Sequence, residues 1–273
     1  MRSAAAAAAV ITPSRLFPWE PVSARRGRIA SEALRQMLMR RLKGDHGVHA
    51  QTLLAAAGAL VGFAAQNAAL EQGEILSLRR DLVAPQSLLL HRSPKGERFL
   101  FGSWVNAPLL AGYGHGAPLQ RFLTNAGEAA GLSKGEMPDF RGIEARVSAS
   151  VGEAAFGTLV TPRGHRPAAQ PHELLKALWP QTRRTILAPL PLEFPDEPAL
   201  HEAHWPILAS VVAGALVTKS MGKAPPDIAL TIVMEAAVIA ARTDPQVIDP
   251  NRWALSPGPK GLRVVRGDQR RVA

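Results

Sequence analysis

The chain has 273 residues, 47% hydrophobic and 20% charged, proportions that exclude wholesale disorder and supply enough apolar surface for a substantial core. It has no cysteine, which excludes a disulfide framework, thiol catalysis and thiolate or iron–sulfur sites, and this fits a reducing, cytoplasmic setting. The formal charge of +10 divides into +6 over residues 1–48, +5 over 252–273 and −1 between them, which describes basic ends on a near-neutral body.

Residues 1–30 contain five arginines, one acid (Glu20) and Pro13, Pro18 and Pro21, with no sustained periodicity. The apolar run 4–11 is short, alanine-rich and followed by no clear cleavage site, so the segment reads as a flexible basic arm, with a transit-peptide-like targeting arm as the alternative. A helix is expected from about Ser31, a natural N-cap. It carries Leu34, Met37, Leu38 and Leu42 on one stripe and Arg35, Arg40 and Lys43 away from it. Gly44 and Gly47 interrupt it.

The stretch 51–70 carries no charge and spaces Gly58 and Gly62 four apart, within a helix expected over 48–72. Its length suits a bilayer, but its content does not. Six large apolar residues favour insertion by about 3 kcal/mol together. Gln51, Thr52, Gln66 and Asn67 would each need a partner in hydrocarbon, at several kcal/mol when unmet. The stretch reads as a buried core helix with no transmembrane role, packed closely on a neighbour through its glycines.

Two apolar runs around Pro94-Lys95-Gly96 predict a β-hairpin over 87–105. A glycine loop follows, and Pro118 is placed to open a helix over about 118–131. Residues 132–170 are poorly patterned; a weak helix near 142–156 is the best reading, with a loop at 161–167. Pro171 opens a short helix expected to end before Pro180. The four prolines of 188–198 mark a linker. Beyond it, 207–221 and 227–242 read as a buried antiparallel helix pair, and 252–266 as a closing hairpin. The expected fold is therefore mainly α, a helical bundle of buried apolar helices with a peripheral β-hairpin. The expected organisation is an arm (1–30), one mainly helical domain (31–259) and a basic tail (260–273).

Three places offer chemistry. In the loop from Asn106 to Gly116, Gly112, Tyr113, Gly114, His115 and Gly116 precede a helix, where backbone N–H groups can meet an anion. The pattern matches neither the dinucleotide fingerprint nor a P-loop. On a helix opened by Pro198, Glu197, His201 and His204 would share one side, a usable divalent-metal set for zinc or iron that lacks the metalloprotease spacing. Glu235 falls in line with Ile228, Ile232 and Ile239; a buried carboxylate there needs a partner, with Lys219, Lys223, His201 and His204 as candidates. Glu235 and His115 are the candidate catalytic groups.

No catalytic signature emerges, so the leading expectation is a non-catalytic module that associates with itself, through small-residue faces such as Gly58/Gly62 and Ser210/Gly214. No cofactor is required by that reading. The alternative is a small-molecule- or metal-binding enzyme built from the 106–116 loop, His201, His204 and Glu235. A second alternative is nucleic-acid or anionic-membrane binding through the basic termini.

Overall fold

The computed structural model describes residues 24–78, 86–113, 117–187, 200–258 and 261–267. Among them helices dominate, with three small two-stranded antiparallel sheets at the periphery, so the fold is mainly α. Nine α-helices are described: α1 (Ala24–Arg41), α2 (Ala50–Leu78), α3 (Ser103–Asn106), α4 (Leu119–Ala129), α5 (Phe140–Ala149), α6 (Pro171–Leu187), α7 (Trp205–Lys219), α8 (Pro226–Arg242) and α9 (Pro245–Ile248). The strands are β1 (Lys43–Gly44), β2 (Gly47–Val48), β3 (Leu89–Arg92), β4 (Arg98–Phe101), β5 (Trp253–Gly258) and β6 (Gly261–Arg266).

The axis of the core is α2. Although long and apolar enough to cross a bilayer, its apolar stretch is buried by other elements, the environment of a core helix. Leu54, Leu60, Phe63 and Leu70 lie at 2% exposure or less, each contributing about 1.5–3 kcal/mol by leaving water. The polar residues that argued against lipid have interior partners. Gln66 donates to the carbonyls of Ala241 (3.1 Å) and Thr243 (2.6 Å), and Thr52 Oγ1 accepts from the Ala168 N–H at 2.8 Å.

Both glycines of α2 face α8. A Cβ built at Gly58 would sit 2.2 Å from Val233 O, and one at Gly62 only 1.9 Å from Ala237 O. These contacts and the Gln66–Ala241 bond share one offset of 175 residues, so α2 and α8 run parallel and in step, backbone nearly on backbone. The expected α7–α8 antiparallel pair is not formed as such. The two helices touch each other little, and each packs on α2, because α2 carries the small residues that permit close approach.

Other departures have local causes. The first helix is already formed at Ala24, inside the expected arm; Arg26, Ala30 and Leu34 supply a buried stripe that continues upstream of Ser31. Pro180 does not end α6, which runs to Leu187. The proline is exposed, while Leu178, Trp179, Thr182 and Ile186 on either side are buried, so packing carries the helix through the missing N–H. Trp179 stands edge-on to Phe63, ring centroids 4.5 Å apart. Within 132–170, α5 is capped by Asp139, whose side chain accepts from the Gly142 N–H at 3.0 Å. The short turn 163–165 is a single 3-10 turn.

The β3–β4 hairpin pairs Leu89 with Phe101 and Arg92 with Arg98, and a bridge between Phe99 and Thr243 docks it on the end of α8. Gly102, at φ 127°, turns the chain into α3 where a Cβ would lie 2.3 Å from Ser87 O. The closing hairpin β5–β6 takes residues 261–266 out of the expected tail. The linker 188–198 and the chain ends 1–23 and 268–273 lie outside the described residues.

Candidate functional site

Asn106 ends α3 and holds the base of the glycine loop. Its Oδ1 accepts from Arg242 Nη2 at 2.7 Å and its amide donates to the Tyr113 hydroxyl at 3.4 Å. Arg141 donates to Ala111 O (2.8 Å) and lies 5.9 Å from the Tyr113 ring centroid, bracing the loop around Gly112. Gly114, His115 and Gly116 lie outside the described residues. Arg242, absent from the sequence-based candidates, is the centre of this region. At 1% exposure it bonds the carboxylate of Glu144 (2.5 Å) and Ser148 Oγ (3.2 Å), with its guanidinium 4.8 Å from the Phe101 ring. Burial pulls its pKa down, against the Glu144 carboxylate. An arginine in the last turn of an apolar helix reads in sequence as an exposed dipole partner. Here it ties α3, α5 and β4 to α8.

Glu235 is 1% exposed, and its partners are not those the sequence suggested. The carboxylate bonds Arg146 of α5 and the Val160 N–H (2.9 Å), not Lys219, Lys223 or the histidines. Burial pushes its pKa up, opposed by Arg146. Structurally it is a clasp between α5, the 158–161 segment and α8.

The two histidines do not share a helical face. His201 has extended backbone (φ −92°, ψ 162°) and precedes a single 3-10 turn over Glu202–His204, so the assumed helical spacing is not realised. His204 Nδ1 accepts from the His201 N–H at 3.1 Å, which occupies one of its possible ligand atoms. Glu197 lies outside the described residues. Among the described residues no group of three histidine, aspartate or glutamate side chains is placed to hold a metal ion.

The residue between those histidines enters a buried polar network. Glu202 pairs with Arg252, whose Nε donates to Asn67 Oδ1 (3.1 Å) and whose guanidinium lies 5.3 Å from both the Trp205 and Trp253 rings. Arg266 bonds Glu74 (2.6 Å) and approaches Glu71 (3.3 Å). Burial pushes the Glu71 carboxyl up, with Arg266 opposing. This network fastens β5–β6 to the second half of α2.

The small-residue faces expected to mediate association are spent inside the fold. Gly58 and Gly62 meet α8, Ser210 is buried, and Gly214 packs on Phe122 of α4. Among the described residues, one apolar surface left exposed lies on the opposite side of α7. Its exposed side carries Val211, 40% exposed, and Ala215, with half-buried Ile207 at one end and Thr218 and Lys219 at the other. Beside this ridge lies a groove of 610 Å³, floored by Leu208 and Val212 and opened on the α1 side by Gly27 and Ser31. Its far rim carries Glu32, bonded to Arg35 Nε at 2.7 Å; that hydrogen bond brings the Glu32 carboxyl down to about 2. Comparison of the chain with family models, with curated proteins and with solved structures finds no match.

Proposed function

We propose that the protein is a non-catalytic, cytoplasmic association module and that it pairs with a second copy of itself through α7. The observation that carries this reading is the apolar ridge Ile207–Val211–Ala215 beside the α1–α7 groove. The first three turns of α7 are apolar on every side, and among the described residues they lack cover along Val211 and Ala215. A second copy suits the surface. An i, i+4, i+8 ridge fits a helix–helix groove, and a two-fold axis along α7 sets each ridge beside the partner's groove. The rim charges, Arg35 and Glu32, are paired within the chain, so the rim brings no unmatched charge against a second copy.

Sedimentation analysis tests this directly. The wild-type chain is expected at twice its 29.1 kDa mass at about 50 µM. Val211→Glu, at a solvent-facing position, is expected to give a cooperatively folding monomer whose melting temperature is lower only by the lost dimer linkage and no longer depends on concentration. A monomeric wild type, or a dimer indifferent to Val211→Glu, overturns the proposal.

A further inference from the structure

A second cavity, of 340 Å³, lies away from α7, between the β3–β4 hairpin, the Phe156–Gly157 loop, the start of α6 and the α8–α9 junction. Its size falls in the range of small-molecule sites. Phe99 and Phe156 form one corner edge-to-face, ring centroids 5.2 Å apart, and Val247 forms an exposed lip, 47% accessible.

The polar groups in it divide cleanly. Arg98 is matched to Asp244, with Nε at 2.8 Å and Nη2 at 2.7 Å from Oδ2, and it also bonds Gln246. Asp244 in turn caps α9 by accepting from the Gln246 N–H at 3.0 Å. That pair is internally neutral. Glu97 is the charge left over: it is exposed at the mouth, and its one side-chain contact among the described residues is the Ser93 hydroxyl, at 3.3 Å from Oε2. His172 makes no hydrogen bond among the described residues. Burial lowers its pKa, so it presents a neutral imidazole at pH 7, with Glu173 and Lys176 of its own helix contributing opposite, smaller influences.

Two aromatic walls, an unmatched carboxylate and a neutral imidazole acceptor describe one kind of guest. We propose that this cavity binds a small organic monocation, an ammonium group on a flat apolar body. The body fills the corner made by Phe99, Phe156 and Val247, the Glu97 carboxylate attracts the ammonium, and the His172 ring offers a second acceptor.

A matched pair of probes tests it on the full chain: phenethylammonium and phenylacetate, similar in body and opposite in charge, titrated at pH 7.5 by calorimetry and ligand-observed NMR. The cation is expected to bind at least about tenfold more tightly than the anion, from one carboxylate at close range. Glu97→Gln is expected to erase that preference. Val247→Trp, which fills the lip from an exposed position, is expected to abolish cation binding while the melting temperature holds. The proposal is overturned by no cation binding at about 10 mM, by equal binding of the two probes, by a preference that survives Glu97→Gln, or by cation binding that survives Val247→Trp.

Discussion

Replacing Gly62 by alanine adds one methyl group at one of the tightest places among the described residues. Its Cβ would fall 1.9 Å from Ala237 O, 2.7 Å from Ala237 C and 2.9 Å from Ala241 N, all backbone atoms of α8. No side chain can rotate away, so α2 and α8 must part by about 1 Å, and a gap of that size forfeits roughly a quarter to a half of each contact's dispersion energy. Overpacking costs about 1–3 kcal/mol and more against rigid backbone, while exchanging glycine for alanine inside a helix returns about 1 kcal/mol. The net expectation is a loss of about 2–3 kcal/mol, or roughly 5–10 °C in melting temperature for a chain of this size. Thermal melts by circular dichroism and urea titrations both read it. Gly164→Ala is the control: nothing lies within 4 Å of the Cβ it would carry, so a change within about 0.5 kcal/mol is expected. A Gly62→Ala protein that melts at or above the wild-type temperature would refute the close parallel packing of α2 on α8.

Two further outcomes follow from the buried polar groups. Asn67 Oδ1 accepts from both Arg252 Nε (3.1 Å) and Trp253 Nε1 (2.9 Å), so Asn67→Ala strands two buried donors and is expected to cost about 3 kcal/mol in urea unfolding. Asn67→Asp keeps the acceptor and is expected to be milder; equal losses would show that the acceptor is not what matters. Glu71, raised by burial, binds its proton more tightly folded than unfolded. Wild-type stability should therefore fall as pH rises from about 4.5 through its elevated folded pKa, and Glu71→Gln should flatten that part of the profile. Matching slopes for the two proteins between pH 4 and 8 would rule Glu71 out as their source.

What could be read from sequence depended on whether a residue's direction was fixed by its neighbours in the chain. In α2, four polar residues set among leucines and alanines argue against lipid, and a pair of glycines points to a close neighbour; both features are local. Glu235 stands out for the same reason, as a carboxylate in an isoleucine stripe. Its partner does not, because Arg146 lies 89 residues away in a segment with little periodicity. The small residues of α7 misled for a different reason. In a helix apolar all round, periodicity gives no inward direction, so Ser210 and Gly214 look the same whether they face a core or a partner. Pro180 misled because a helix-breaking rule describes an isolated segment, and α6 is held by tryptophan and leucine contacts on both sides of it. The histidine pair failed on a single extended residue, His201, which no spacing argument detects. Arg242 was invisible because its partners, Asn106 and Glu144, lie 136 and 98 residues upstream.

The in-step pairing of α2 with α8 also has a meaning in time. Each contact joins residues 175 apart, and at roughly 5–20 residues per second of synthesis the second half of each follows the first by roughly 9–35 s. For that interval the long apolar helix α2 has left the ribosome with its glycine face bare, and any product that stops before Pro226 never covers it. The order of the helices in the chain thus leaves one apolar face uncovered during synthesis, however fast the finished chain folds.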